Sequence, residues 1–267
     1  MKVAFISLGC SKNLINTEQM MALCSNAVME VTGEPEGADV AVLNTCGFID
    51  AAKSEAIEHI IALGELKDQG KLGKLLVCGC LSQRYREEMK RELPEVDGLM
   101  GTGSYDQIVS AVNALAAGEF PEDFGDISAT TEEGERFVTG PDYTAFLKLA
   151  EGCDNFCAFC IIPYLRGRYR SRPMEKILAE AETLARGGTK ELILIAQDIG
   201  PYGKDLYGET KLTELLEKLC KLPFRWIRLH YLYPDHFDDA LIDCIAKQPK
   251  IVKYLDIPMQ HCSGRLL

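Results

Sequence analysis

The 267-residue chain lacks several features that would place it in a broad class. It has no run of about 18 apolar residues, so we expect no membrane-spanning helix and no membrane partner. Its first residues lead directly into an apolar segment without the pattern of a secretory leader, so we expect a cytoplasmic protein. With 11 prolines and 23 glycines in a chain that is 47% hydrophobic, a collagen-like or disordered chain is excluded.

Basic residues are fewer than acidic ones, with 29 Lys and Arg against 40 Asp and Glu. Residues 1–140 carry a net charge of −12, so the acidity belongs to the first half. This negative charge makes it less favourable for the first half to bind a nucleic-acid backbone, and it would suit a basic partner. A solvated acidic surface that aids solubility is the simpler interpretation.

Cysteine, by contrast, is abundant, with 11 residues. The cytoplasm keeps thiols reduced, so a disulfide framework is not expected there. Metal ligands or catalytic thiols are the better interpretation of so many cysteines.

Residues 1–117 alternate strand and helix patterns. Apolar runs predict strands at 2–8, 38–43, 75–78 and 96–100, and helical spacing of apolar residues marks segments around 57–61 and 109–115. Strands separated by helices predict an α/β domain, a parallel sheet with helices on both faces. In such sheets, ligands gather at the carboxyl ends of the strands.

Residues 118–138 are acidic and nearly aperiodic, and we interpret them as a linker. A second α/β series occupies residues 139–267, with strands expected at 144–149, 191–196, 226–231 and 254–259. Four such units do not close a barrel.

Three cysteines stand close together in the run EGCDNFCAFCIIP, at the start of this second series. Cys153, Cys157 and Cys160 have C-x₃-C-x₂-C spacing, which lets three thiolates face one iron–sulfur cube. Such cubes normally take four cysteines, so three leave one iron open to a ligand that is not part of the protein. The alternative is a zinc knuckle, which needs a fourth ligand that no neighbouring Cys or His pair supplies.

This motif resembles that of the radical S-adenosylmethionine (SAM) superfamily, in which it follows the first strand of a partial or full (β/α) barrel. The resemblance implies a 4Fe–4S cluster whose open iron binds the methionine portion of SAM. The run AQDIG lies where the superfamily keeps polar contacts to the methionine amine, so Gln197 and Asp198 are candidates for binding this cofactor. Polar residues that merely begin a loop are the alternative for either one.

Three further cysteines each follow a predicted strand of the first half. Cys10, Cys46 and Cys80 fall at carboxyl ends, and a parallel sheet would bring them to one edge. Their convergence suggests a second three-thiolate cluster. Cys78 competes with Cys80 for the third position, and we prefer Cys80 because it lies at the strand end. We interpret Cys24, Cys220 and Cys244 as packing residues and leave Cys262 unassigned.

Together, the two sets of cysteines resemble the radical SAM methylthiotransferase family. The runs GCSKNL (9–14), NTCGFI (44–49), WIRL (226–229), YLYP (231–234) and DIPMQH (256–261) are most similar to the branch that modifies an aspartate of a small-subunit ribosomal protein. The resemblance implies a flavodoxin-like N-terminal domain, followed by a radical SAM (β/α) barrel that is incomplete at its C-terminal end.

By this resemblance, Cys10, Cys46 and Cys80 bind an auxiliary 4Fe–4S cluster, and Cys153, Cys157 and Cys160 bind the radical-generating one. The implied reaction is SAM-dependent methylthiolation of the aspartate β-carbon, with an electron donor and a sulfur donor as further partners. No catalytic residue beyond the cluster ligands is assigned. Arg166, Arg168 and Arg172 could meet the cofactor carboxylate or the substrate, or could be solvated loop charges.

Two other functions remain open at this point. One is methylthiolation of an adenosine in tRNA by the same chemistry, which the quoted runs and the acidic first half disfavour. The other is a non-catalytic iron–sulfur or zinc-binding module. Because the chain ends near the fourth barrel strand, we also expect a fragment with an exposed sheet edge, low stability and weak or no turnover.

Overall fold

A computed structural model describes residues 1–129, 134–259 and 261–266. Residues 130–133 of the predicted linker, Gln260 of the DIPMQH run and Leu267 lie outside the described residues. The chain forms two compact units. The first consists of Met1–Val138 and Phe156–Gly167, and the second of Thr139–Asn155 and Arg168–Leu267.

The first unit is built on a six-stranded parallel sheet with helices on both faces. Its strands are β1 (Lys2–Ser7), β2 (Glu30–Thr32), β3 (Ala38–Thr45), β4 (Leu72–Gly79), β5 (Gly98–Met100) and β6 (Glu122–Asp123). Its helices are α1 (Ser11–Asn26), α2 (Asp50–Asp68), α3 (Cys80–Arg84), α4 (Arg86–Glu92), α5 (Ile108–Ala116) and α6 (Ile162–Arg166), with a 3₁₀ turn at Tyr105–Gln107.

The strand order is β2-β1-β3-β4-β5-β6, and every neighbouring pair is parallel. The first five strands have the flavodoxin-like order, which reverses direction between β1 and β3. The run ADVAVLNT of β3 is buried almost throughout, as expected for a central parallel strand covered on both faces. Two apolar cores, one on each face of the sheet, hold the helices in place.

The second unit is built on a four-stranded parallel sheet. The strands of this sheet are β7 (Thr144–Lys148), β10 (Glu191–Ile195), β11 (Trp226–Leu229) and β12 (Ile251–Leu255). Two short strands, β8 (Ala150–Glu151) and β9 (Arg170–Ser171), form a separate pair. The helices of the unit are α7 (Met174–Arg186), α8 (Lys204–Tyr207), α9 (Leu212–Leu219) and α10 (Asp239–Lys247), with a 3₁₀ turn at Pro234–His236.

The order β12-β11-β10-β7 places each main strand beside the next one in the chain, as in a (β/α) barrel. Helix α7 begins after Pro173 and ends at Arg186, before Gly187, and it buries the stripe Met174, Ile177, Ala181 and Leu184 against the sheet. The predicted α/β class, with a flavodoxin-like sheet followed by a partial barrel, is confirmed.

Some local features differ from expectation. The strand expected at 144–149 ends at Lys148, and the chain then forms β8, which pairs antiparallel with β9. The cysteine motif therefore lies between β8 and β9 in the chain and does not directly follow the main strand β7. The acidic segment 118–138 contributes β6, which pairs with β5, although the predicted boundaries at 117 and 138 stay a prediction.

Candidate cofactor sites in the two units

Three cysteines of the first unit lie at the carboxyl ends of neighbouring strands. Cys10 lies between β1 and α1, Cys46 directly follows β3, and Cys80 directly follows β4. Strands β1, β3 and β4 are adjacent and parallel, so all three cysteines reach the same edge of the sheet. This edge includes the point where the strand order reverses, which is where open α/β sheets bind ligands.

Two glycines allow the three cysteine loops to touch. Gly9 has a φ of +88°, and a Cβ on it would lie 2.6 Å from the Cβ of Cys46. A Cβ on Gly47 would lie 2.7 Å from the carbonyl oxygen of Cys80. Real side chains do not approach so closely, so only glycine fits at either position. The loop of Cys10 thus packs on that of Cys46, which in turn packs on that of Cys80.

Two buried asparagines fix these loops to the sheet. The Asn13 amide donates to the carbonyls of Leu8 (3.1 Å) and Thr45 (2.9 Å), and so joins the ends of β1 and β3. The Asn44 amide donates to the carbonyl of Asn13 (3.0 Å) and to the Thr17 hydroxyl (3.0 Å). Neither role was predicted from the sequence. Their positions beside Cys10 and Cys46 were the available signal.

Positive charge accompanies the three thiols. Arg166, only 3% exposed, places its Nε 3.3 Å from the Cys80 Sγ. Burial alone would raise the pKa of Cys10, but Arg166, Lys12 and nearby backbone N–H groups bring it below its usual value. Burial raises the pKa of Cys46, helped by the neighbouring Cys80 and Cys10 and opposed by the Phe48 N–H and Arg166. Arg166 therefore contacts Cys80 and acts electrostatically on both Cys10 and Cys46.

The neighbouring cysteines of this unit have a different environment. Cys78 lies inside β4 and is fully buried in the apolar core, where burial raises its pKa. Burial likewise raises the pKa of Cys24 to about 12. Both are packing residues by position, whereas Cys80 lies beyond the strand end.

The C-x₃-C-x₂-C loop connects β8 to α6. Cys153 lies in the second unit, and Cys157 and Cys160 lie in the segment assigned to the first. The Cys160 N–H donates to the Cys157 carbonyl (2.9 Å), which closes a tight turn. All three cysteines are partly exposed and free of disulfides.

The second unit contains a cavity of about 340 Å³ that Cys153 lines in part. This volume is at the small end of the usual range for small-molecule pockets, roughly 300–1,000 Å³. Besides Cys153, its wall includes the side chains of Asn155, Asp198, Lys204, Asp205 and His236.

Asp198 joins the loops around this cavity. Its Oδ1 accepts from the backbone N–H groups of Gly200 (3.0 Å) and Tyr233 (3.4 Å). Its Oδ2 accepts from the Asn155 amide (3.2 Å) and lies 2.8 Å from His236 Nδ1. Asp198 is only 1% exposed, so both of its oxygens are occupied by the protein itself.

Gln197 differs from Asp198 in having one open group. Its amide donates to the Glu151 Oε1 (3.0 Å), and Glu151 also accepts from the buried Lys148 (3.1 Å). The Gln197 Oε1 is buried and has no hydrogen-bond partner in the described part of the chain. A buried acceptor of this kind suits a ligand that donates a hydrogen bond.

Arg168 and Arg172 of the RGRYRSRP run make contacts that differ from those of Arg166. Arg168 is exposed and lies 3.4 Å from Asp154. Arg172 donates to the Glu180 carboxylate (2.7 Å) and to the Lys148 carbonyl (2.7 Å) and so has structural contacts. Only Arg166 reaches the predicted auxiliary site in these contacts.

Within residues 1–129, 134–259 and 261–266, no group of three His, Cys, Asp or Glu side chains is arranged to hold a single metal ion. In the same residues, no helix is both long and apolar enough to cross a membrane.

Comparison with known families matches both halves of the chain. Residues 2–101 match the uncharacterized protein family UPF0004, and residues 147–267 match the radical SAM superfamily. The fold is similar to that of a solved structure, the radical SAM methyltransferase TsrM from Kitasatospora setae with cobalamin and a [4Fe-4S] cluster bound. The superposition has a TM-score of 0.67 at 11% sequence identity, and it covers 99% of this chain and 62% of the TsrM chain. At this identity, the likeness concerns the fold alone.

Curated relatives are similar along the whole chain. A protein named ribosomal protein uS12 methylthiotransferase RimO from Symbiobacterium thermophilum is 48% identical over 268 residues, which is 100% of this chain and 55% of the relative. The protein of the same name from Clostridioides difficile is 48% identical over 269 residues, which is 100% of this chain and 61% of the relative. The chain therefore spans somewhat more than half the length of these relatives.

The class of the second half is defined by three findings. It has a parallel (β/α) sheet, it contains the C-x₃-C-x₂-C loop, and residues 147–267 match the radical SAM superfamily. The match of the first unit and the relatives that are similar along the whole of this chain narrow this class to proteins like the methylthiotransferases named above.

Proposed function

We propose that this chain carries the two cofactor-binding modules of an enzyme that methylthiolates the β-carbon of an aspartate in a small-subunit ribosomal protein. Cys153, Cys157 and Cys160 would hold one 4Fe–4S cluster, and Cys10, Cys46 and Cys80 a second. When bound, the two clusters and SAM supply the radical and sulfur-transfer chemistry that an unactivated C–H bond requires. Ordinary acid–base catalysis does not open such a bond.

The observation that carries the proposal is the convergence of Cys10, Cys46 and Cys80 on one sheet edge, in a chain that also contains the C-x₃-C-x₂-C loop. Thiolates are the ligands that iron–sulfur clusters take in proteins. The glycine contacts at Gly9 and Gly47 hold the three loops together, and Arg166 supplies positive charge beside them. These residues fit a thiolate-bound cluster, because buried negative charge needs a nearby cation.

The residues at the end of β10 fit a small cofactor in two different ways. The Gln197 Oε1 is a buried acceptor without a partner among the described residues, and it suits the amino group of the methionine portion of SAM. The oxygens of Asp198 are already engaged by three loops, so its role is to hold those loops in place. We therefore assign the direct contact to Gln197 and a positioning role to Asp198.

The partners follow from the same chemistry. Ribosomal proteins are basic as a class because they bind RNA, and the net charge of −12 on residues 1–140 favours a basic substrate. An electron donor and a sulfur donor complete the reaction. A ribosomal-protein substrate also fits a cytoplasmic location.

A hybrid chain tests this function. Residues 1–267 would be joined to the C-terminal remainder of the Clostridioides difficile relative, which is 48% identical over the shared part. After anaerobic loading with iron and sulfide, the hybrid would be incubated with SAM, a reductant and the small-subunit ribosomal protein. Mass spectrometry of the tryptic peptides would then locate any methylthio group.

We expect a methylthio group on one aspartate with the hybrid and none with its Cys46→Ala variant. The full-length relative serves as the positive control for the assay. An unmodified ribosomal protein in a reaction where the relative succeeds would contradict the proposal. A methylthio group found on tRNA instead would assign the chain to RNA modification.

A further inference from the structure

Arg166 occupies an unusual position for an arginine. It ends α6, only six residues after Cys160, and its side chain is buried in the first unit. The guanidinium faces three groups at once. Its Nε lies 3.3 Å from the Cys80 Sγ, one terminal nitrogen lies 3.4 Å from the Asn16 Oδ1, and the other donates to the Asn13 Oδ1.

These contacts connect the arginine to the parts that hold the thiol loops. Asn13 joins the ends of β1 and β3, and Cys80 follows β4. One planar guanidinium therefore touches structures attached to all three neighbouring strands. A lysine could supply the charge, but it has no rigid fork with which to hold three partners in fixed directions.

We propose that Arg166 is a positioning residue of the auxiliary cluster site formed by Cys10, Cys46 and Cys80. It fixes the Cys80 sulfur by a charge-assisted N–H contact and provides permanent positive charge beside three thiolates. Hydrogen bonds and charge near ligating sulfurs raise the reduction potential of an iron–sulfur cluster. This inference rests on the proposed function, because it requires a cluster at these cysteines.

Two effects follow, and they are separable. The charge sets the reduction potential, and the fork sets how firmly the cluster is held. Loss of a group that supports metal ligands typically costs roughly 10- to 100-fold in metal affinity. Arg166→Gln removes both the charge and the fork, whereas Arg166→Lys keeps the charge and removes only the fork.

The test uses the 267-residue chain with Cys153, Cys157 and Cys160 all replaced by Ala, so that any cluster formed sits at the auxiliary site. This parent, its Arg166→Gln and Arg166→Lys forms, and an Arg91→Gln control would be loaded anaerobically with iron and sulfide. Arg91 is an exposed arginine of the same unit, 2.7 Å from Glu92. Three quantities would be measured: iron per chain, the midpoint potential and the rate of iron loss to a chelator.

We expect Arg166→Gln to shift the potential to a more negative value and to speed iron loss by about 10-fold or more. Arg166→Lys should recover the potential but keep the faster iron loss, and Arg91→Gln should match the parent. Circular dichroism reports whether each variant is folded. If Arg166→Gln fails to fold, the rate of iron loss from Arg166→Lys is compared with that from the parent. A faster loss from Arg166→Lys supports the positioning role, and an equal rate contradicts it.

The outcomes separate the two proposals. A parent that takes up no iron overturns the proposed function and this inference together. A parent that takes up iron, with Arg166→Gln equal to it in potential and in iron loss, overturns the inference and leaves the proposed function standing.

Discussion

Gly47 lies between two cysteine loops of the proposed auxiliary site, and the effect of its replacement by alanine follows from the contacts around it. The new Cβ would lie 2.7 Å from the Cys80 carbonyl oxygen and 2.9 Å from the Leu81 Cα. An ordinary contact begins at about 3.4 Å, so the two loops must separate by about 0.7 Å. The obstructing atoms are backbone atoms, which cannot rotate away.

The displacement falls on the cysteines themselves. Gly47 follows Cys46 directly, and the atom it meets belongs to Cys80. Overpacking of this kind costs about 1–3 kcal/mol. A functional constellation tolerates a displacement of only about 0.5 Å. We therefore expect Gly47→Ala to reduce iron binding at the auxiliary site by about 10-fold or more, with a smaller loss of global stability.

Iron per chain after anaerobic loading is the measurement, made in the chain whose Cys153, Cys157 and Cys160 are replaced. Urea unfolding of the same samples reports stability. Gly33→Ala is the matched control, because a Cβ at Gly33 meets nothing within 4 Å. If Gly47→Ala held as much iron as Gly33→Ala under a chelator, the argument that these loops position the thiols would be wrong.

Three further predictions concern stability. Asn44→Ala removes a fully buried amide that donates two hydrogen bonds, so it should lower the free energy of unfolding in urea by about 1–3 kcal/mol. The same substitution at the exposed Asn113 should change that free energy little. Arg136→Ala removes the buried ion pair between Arg136 and Glu18 and should lower the free energy of unfolding by about 3–5 kcal/mol in the same assay; a loss below about 1 kcal/mol would contradict this. Burial opposes the ionised form of Asp97, but two lysines and a backbone N–H lower its pKa, so its stabilisation is present above about pH 4 and is lost as the pH falls through the lowered pKa. Asp97→Asn should therefore lower stability at pH 7 and flatten the acid dependence of the unfolding free energy; an unchanged acid slope would contradict this.

The strands that carry the auxiliary cysteines were predictable because they are continuous apolar runs. The segments 38–43 and 75–78 lie inside the observed β3 and β4, and the carboxyl-end rule placed Cys46 and Cys80 on one edge. The short strands β2 and β6 were not predictable. They have three and two residues, respectively, and backbone pairing with a neighbouring strand defines them, with no apolar pattern of their own.

The contacts around the thiols could not be predicted in the same way. Arg166 and Cys80 are separated by 86 positions, and no local pattern connects them. The sequence pattern did not distinguish Arg166 from Arg168 and Arg172. The fold distinguishes them, because it buries the Arg166 guanidinium beside a thiol and pairs the other two arginines with carboxylates. Gln197 and Asp198 were likewise equivalent until their hydrogen bonds distinguished them.

The central claim is that this chain holds two iron–sulfur clusters on two sets of three cysteines, and iron stoichiometry tests it most directly. After anaerobic loading, we predict about eight irons per chain, because each cube contains four. Cys46→Ala and Cys153→Ala should each retain about half, and the exposed Cys262→Ala should retain all. One zinc and no iron in the unaltered chain, or full iron in Cys46→Ala, would contradict the account.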